Sequence, residues 1–238
     1  MPAIKAILFD LDGTLLQPPD ADGAIVAACN AVVAVESRMQ IERLIQENRR
    51  IFDAYWLETE ELFYRGLLSG SDLSYEVWTR SLMACGYDDR ALINVAFESF
   101  SRHVEGSYRL FDDAHDILEK LHARYPLVLV TNGPPDTQRP KIEAAQIGDR
   151  FEHIIISGEL GTPKPNKAIF QVALDAVGAH PEQAMHIGDS LSADVAGALN
   201  VGLTAVWINR RRRTRASGDP KPHHEITSLA ELPGLLDD

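Results

Sequence analysis

Apolar positions follow two rhythms along the chain. In the first, short runs end in small or polar residues: "AILF" (6–9), "LVLVT" (127–131), "HIIIS" (153–157), "AMHIG" (184–188) and "LTAVWI" (203–208). Runs of this length, rich in Val and Ile, read as strands buried on both faces. Helical patterns lie among them. "DAHDILEKLHARY" (113–125) leads into the second strand, and "DTQRPKIEAAQIG" (136–148) starts at Asp136, a predicted N-cap. "NKAIFQVALDAVG" (166–178) has Asn166 placed to cap it and Gly178 placed to end it. "SADVAGALNVG" (192–202) also ends on glycine. Strand alternating with helix predicts a doubly wound, parallel, Rossmann-like α/β sheet with helices on both faces.

The second rhythm fills residues 20 to 105, where no strand is legible. "IERLIQENRRIFDAYWLETEELFYRGLL" (41–68) carries apolar residues at helical spacing. "SYEVWTRSLMACG" (74–86) opens on Ser74, and "DRALINVAFESFSRHV" (89–104) reads as a further helix. Phe52, Tyr55, Trp56, Phe63 and Tyr64 recur at intervals of three, four and seven and read as a core stripe. The expected organisation is a core made of 1–16 and 107–238, interrupted by an α-helical cap at 17–106. No internal repeat or low-complexity segment is visible.

Composition narrows the function. The 238 residues suffice for one domain with an insertion, or for two, and 45% hydrophobic with 24% charged residues is ordinary for a globular protein. The net charge of -12 argues against a general nucleic-acid binder, which needs a basic face. An acidic protein that handles an anion must gather positive charge locally or recruit a metal. Cys29 and Cys85 lack metal-ligand spacing and read as structural thiols, so a reducing cytoplasm is expected. The N-terminal stretch shows no secretory pattern, and "AIVAACNAVVAV" (24–35) is too short to cross a bilayer, so no membrane partner is expected. The arginine run "RRRRTR" (210–215) reads as a solvated loop.

The chemistry concentrates at the predicted strand ends, where ligands bind in open parallel sheets. The first strand runs into Asp10, Asp12 and Thr14, and the second into Thr131, Asn132 and Gly133. The fourth leads to Asp189 and Asp194, and Lys164 stands between two prolines before a helix. Helix capping could explain Asp189 or Asp194 singly. It does not explain Asp10 and Asp12 together with Lys164, because like carboxylates so close repel and their burial is costly.

"FDLDGTL", "TNG", "KPNKAIF" and "GDSLSADVAGALNVG" resemble, in order, the four motifs of the haloacid dehalogenase superfamily, in its phosphatase branch with an α-helical cap. The resemblance implies a Mg²⁺ ion held by Asp10, Asp189 and the backbone carbonyl of Asp12. It implies that Asp10 attacks phosphorus to give an aspartyl-phosphate and that Asp12 serves as acid, then base. Lys164 would pair with Asp10 and a phosphoryl oxygen, while Thr131, Asn132 and Gly133 hold the others. Thr14 would fix the first loop, and Asp194 would act through water or by orienting Lys164. Arg65 and Arg80 are candidates to reach the substrate from the cap.

The expected activity is therefore Mg²⁺-dependent hydrolysis of a small phosphorylated metabolite by a monomer or homodimer. The wording around Gln138 and Lys141 resembles members acting on nucleoside monophosphates or acylated sugar phosphates, although Pro134 and Pro135 depart from it. A 2-haloacid dehalogenase of the superfamily would lack the carboxylate that Asp12 supplies. A phosphomutase would need a device to retain the phosphoryl group, and none is visible. A non-catalytic phosphate-binding protein should have lost one of Asp10, Asp12, Lys164 or Asp189.

Overall fold

The protein is described from a computed structural model covering residues 3–236. The first strand, β1 (Ala6–Phe9), is followed by four helices, α1 (Ala21–Val35), α2 (Ile41–Tyr64), α3 (Gly70–Ala84) and α4 (Arg90–Gly106). The chain continues through α5 (Ala114–His122), β2 (Leu127–Thr131), α6 (Pro135–Ala144), β3 (His153–Ile156), α7 (Ser157–Leu160) and α8 (Lys167–Val177). It ends with β4 (Ala184–Gly188), α9 (Ala196–Val201), β5 (Thr204–Ile208), β6 (His224–Ile226) and α10 (Leu232–Leu236). The strands form one parallel sheet in the order β3-β2-β1-β4-β5-β6. The order reverses between β1 and β4, and a crevice opens at the carboxyl ends of strands where such a reversal falls.

Both sheet faces are covered, which is why the central strands β1, β2 and β4 are buried along their whole length. Ile7 and Phe9 point into a cluster with Ile117, Leu118 and Leu121 of α5. Ala6 and Leu8 point the other way, against Ile169, Phe170, Ala173 and Leu174 of α8. Each large aliphatic side chain so buried contributes on the order of 1.5–3 kcal/mol. A third cluster lies within α1–α4: Cys29 and Val32, Leu44, Trp78 and Leu82, and Leu92 with Ile93. Burial there pushes the Cys29 thiol up to about 12, as a structural role requires.

Three close contacts seat the helical segment on the sheet unit. Asp136, in the first turn of α6, accepts from the Gly70 and Ser71 N–H groups that open α3 (3.1 and 3.0 Å). Gly66 has φ +70°, and a Cβ there would come within 2.3 Å of the Gly158 carbonyl oxygen, so backbone meets backbone. Ser157 Oγ donates to the Tyr64 carbonyl and accepts from Gly133 N–H. The helical segment is thereby tied to the loop after β2.

Several element boundaries depart from the sequence reading. α6 begins on Pro135 and is preceded by Pro134, so Asp136 is not its N-cap. Proline suits a first helical turn, where its missing N–H has no partner to lose. α3 starts at Gly70 with Ser69 as cap, placing Ser74 inside it. The segment 192–202 divides into a wide π turn at Leu191–Val195 and the short α9. β6 was not anticipated, being three residues within a polar stretch. The arginine run is only partly solvated. Arg210 donates to Asp113 (2.8 and 3.1 Å) and to the Thr14 carbonyl (2.9 Å), and lies 3.7 Å over the Phe111 ring. Among the described residues, no helix is long and apolar enough to cross a membrane.

Gly197 of α9 tests the packing of the α8 face. Helix propensity alone favours Gly197→Ala by about 1 kcal/mol. Its Cβ would, however, come 2.4 Å from the Phe170 ring and 3.2 Å from the Pro165 backbone. Overpacking should win, with a net loss of about 1–2 kcal/mol in chemical denaturation. A stabilised variant would show that Phe170 moves freely.

Candidate active site

β1 and β4 are neighbours, so Asp10 and Asp189 emerge side by side at their ends. Gly13 permits this closeness: its φ is +77°, and a Cβ would lie 2.6 Å from an Asp189 carboxylate oxygen. Lys164 comes from the segment before α8 and is 5% exposed. Its Nζ donates to Asp10 Oδ1 (2.6 Å) and to Asp194 Oδ1 (2.7 Å). Thr14 Oγ1 donates to Asp10 Oδ2 (3.2 Å). One ammonium and one hydroxyl thus fix the Asp10 carboxylate.

Asp194 is held harder still. Besides Lys164 it accepts from Ser190 N–H (3.0 Å) and meets His186 Nε2 at 2.9 Å. Despite burial, Lys164 and His186 hold its carboxyl well below the usual range. Burial in turn lowers the His186 pKa, so the imidazole is neutral and Nε2 donates. Burial raises Asp10, to about 8, with Lys164 opposing and the charges of Asp194 and Asp189 adding to the rise. Asp189 is pushed up to about 6, again by burial first and then by Asp194. The pattern is that of excess negative charge: one buried ammonium is shared by Asp10 and Asp194, and Asp189 stands beside them without an ion pair of its own among the described residues.

Those residues suit a hard divalent ion. Oxygen atoms of Asp10, Asp189 and Asp194 lie within 4.8 Å of one another. An all-carboxylate donor set with unbalanced charge is what Mg²⁺ takes, completing its octahedron with water. Asp194 already meets Lys164, His186 and the Ser190 N–H, so Asp10 and Asp189 have more of their oxygen lone pairs left to hold such an ion.

Asp12 stands apart from this cluster. Lys141 of α6 donates to both its oxygens (3.0 and 2.7 Å). Gln138, one helical turn earlier, sits between Thr131, Asp12 and Lys141. In the amide orientation its neighbours favour, it donates to Thr131 Oγ1 (3.0 Å) and Asp12 Oδ2 (3.3 Å) and accepts from Lys141 (3.1 Å). A cavity of about 780 Å³ joins Asp10, Asp12, Thr131, Asn132, Lys164 and Asp189 to residues of the helical segment.

Other sequence candidates are placed differently. The Asn132 amide is consumed by the Lys164 backbone, accepting from its N–H (2.8 Å) and donating to its carbonyl (3.0 Å), so it positions Lys164. Gly133 N–H is occupied by Ser157. Arg65 and Arg80 are exposed, paired with Glu61 and Glu76 one turn back, and do not line the cavity. The expected aromatic core stripe is instead largely cavity wall: Phe52, Trp56, Phe63 and Tyr64 line the cavity, while Tyr55 lies under Arg80. His186 and the Lys141–Asp12 pair were not identified as parts of the site. A lone histidine in the apolar run "AMHIG" was the signal for the first; nothing local announced the second.

A family model described as "Hydrolase: haloacid dehalogenase-like hydrolase" matches residues 4–202. The chain is 32% identical to the N-acylneuraminate-9-phosphatase of Mus musculus, over 98% of this chain and 94% of that protein. It is 31% identical to the phosphoserine phosphatase of Thermus thermophilus, over 96% and 98% respectively. The crystal structure of a 2-haloacid dehalogenase from Pseudomonas syringae pv. Tomato DC3000 superposes with a TM-score of 0.70, at 28% identity and 98% coverage of both chains.

The charge imbalance has a measurable signature. Asp10 and Asp189 have folded pKa values above their unfolded ones, so the metal-free protein should lose stability as pH rises towards about 8. Mg²⁺ should raise the melting temperature most at the alkaline end, and the gain should fade on acidification as protons compete for the same oxygens. Asp189→Asn should remove most of that gain in a thermal-shift titration. A Mg²⁺ effect equal at all pH values would place the ion elsewhere.

Proposed function

We propose that this chain, which belongs to the haloacid dehalogenase-like hydrolase family, hydrolyses a small-molecule phosphomonoester with Mg²⁺ through an aspartyl-phosphate on Asp10. At the coarser level it is a phosphatase, a phosphoric monoester hydrolase, as its relatives are. The observation that carries the finer reading is the buried Lys164–Asp10 pair, 2.6 Å apart, in a cavity that also holds Asp12 and Asp189. A nucleophilic carboxylate, a cation to orient it, a second carboxylate and an excess of charge for a metal are then in one place.

In this reading Lys164 and Thr14 aim Asp10, which attacks phosphorus in line. The bond from phosphorus to the leaving oxygen breaks, and Asp12 gives that oxygen a proton. Asp12 then takes a proton from the water that attacks the aspartyl-phosphate, and the bond from phosphorus to Asp10 breaks to release phosphate. When bound, Mg²⁺ held by Asp10 and Asp189 would keep both ionised and neutralise the phosphoryl charge. Asn132 acts through Lys164 by clamping its backbone, and Asp194 through Lys164 by fixing its ammonium. Lys164 and Thr131, both lining the cavity, are left as the side-chain donors this reading assigns to the phosphoryl oxygens.

We assign the chemistry to a core of residues 1–16 and 107–238 and the choice of leaving group to a cap at 17–106. The two relatives are named for different substrates, so neither name transfers. Two unpaired thiols, Cys29 and Cys85, favour a reducing cytoplasm.

The test separates the two carboxylates. Asp10→Asn should lower turnover by about 10⁴-fold or more on every phosphate ester. Asp12→Asn should cost about 10²–10⁴-fold on alkyl phosphates, with aryl phosphates of acidic phenols spared in the first step. Rapid-quench analysis should then find accumulated acyl phosphate. Equal losses on both ester types without trapped intermediate would remove Asp12 from proton transfer. Halide release from 2-haloacids without phosphatase activity would replace the whole reading.

A further inference from the structure

The walls of the cavity differ sharply in chemistry. The strand ends supply the carboxylates and Lys164. The helical segment supplies aromatic rings: Phe52, Trp56, Phe63 and Tyr64 from α2, Trp78 from α3 and Phe100 from α4. Trp56 is braced by its neighbours, stacked on Phe52 (6.0 Å, 16°) and meeting Phe63 (5.2 Å, 67°) and Tyr64 (5.7 Å, 88°) edge-on. This is a preassembled wall, not a loose set of side chains.

Positive charge is missing from it. The lining cations are Lys141 and Lys164, and both are already committed to carboxylates at the strand ends. The charged residue that α1–α4 contribute to the lining is Glu60. Burial and the Glu60 charge raise the Tyr64 phenol, and burial pushes Tyr108 to about 12, so both lining phenols are neutral. Ser74, on the same wall, has a buried hydroxyl without a hydrogen-bond partner among the described residues.

We propose, resting on the phosphatase reading above, that the favoured substrate is the phosphate ester of an uncharged, ring-bearing and largely apolar alcohol. A leaving group that carries a carboxylate is disfavoured. Rings gain from stacking on Trp56 and its neighbours in a space of this size. A carboxylate would be desolvated against aromatic walls with no cation to meet it, and Glu60 would repel it.

The experiment uses the full chain with Mg²⁺. kcat/KM is measured for benzyl phosphate, for phosphoglycolate and phosphoserine, and for acetyl phosphate, whose leaving group needs neither a pocket nor a proton donor. Benzyl phosphate should exceed both carboxylate-bearing esters by about a hundredfold. The exposed Glu60→Lys should narrow that ratio by about tenfold, through a lower KM for phosphoglycolate. Trp56→Ala should raise KM for benzyl phosphate more than for phosphoglycolate. A carboxylate-bearing ester equal to or better than benzyl phosphate, or a ratio unmoved by Glu60→Lys, overturns the proposal. Hydrolysis of acetyl phosphate in that case keeps the phosphatase reading intact, whereas hydrolysis of none of the four compounds removes both.

Discussion

One buried ammonium serves two carboxylates, and the rest of the site follows from its insufficiency. Lys164 lies between Asp10 and Asp194 with almost no access to water. Asp194 also has His186 and a backbone N–H, so it holds its negative charge easily and leaves Asp10 undercompensated. Asp189, one strand over, adds to the deficit. In water such an imbalance would be trivial; at the burial found here it is expensive, and it is relieved by a proton, a cation or both. The site is therefore strained electrostatically rather than sterically, and that imbalance is what makes its carboxylates suited to a hard ion.

The sheet creates this situation by its connectivity. Successive crossovers to one side of β1 and then to the other leave β1 and β4 adjacent at the point of reversal, and both end in aspartate. Parallel strands point all their carboxyl ends the same way, so the loops after β1, β2 and β4 face one crevice. The helical segment leaves the chain just after the first of these loops and returns before α5, which places its own residues over the crevice that β1 begins.

Much of this was legible because the first five strands are short, mostly apolar and closed by small or polar residues. Asp10, Asp12, Thr131 and Asp189 could be put at strand ends from pattern alone, and Lys164 in the loop before a helix. What the pattern left open depends on long-range packing. The face of α2 bearing Phe52, Trp56 and Phe63 reads identically whether it meets a core or an empty cavity, since periodicity records only which face is apolar. Arg65 and Arg80 were legible as surface pairs, with Glu61 and Glu76 four residues back, and that local signal was a better guide than their charge. Asp136 looked like a cap for its own helix and is a cap for another, which no local rule could reveal. β6 is too short to carry a period.

The short helix α6 has a consequence for anyone recombining these parts. Within two turns it presents Asp136 to the first N–H groups of α3, Gln138 to Thr131 and Asp12, and Lys141 to Asp12. Its amino end therefore belongs to the graft and its middle to the host. A chimera that swaps residues 17–106 for another chain's insert must carry a matching partner for Asp136 and a glycine opposite Gly158. Otherwise the helix that supports Asp12 becomes the piece that misfits.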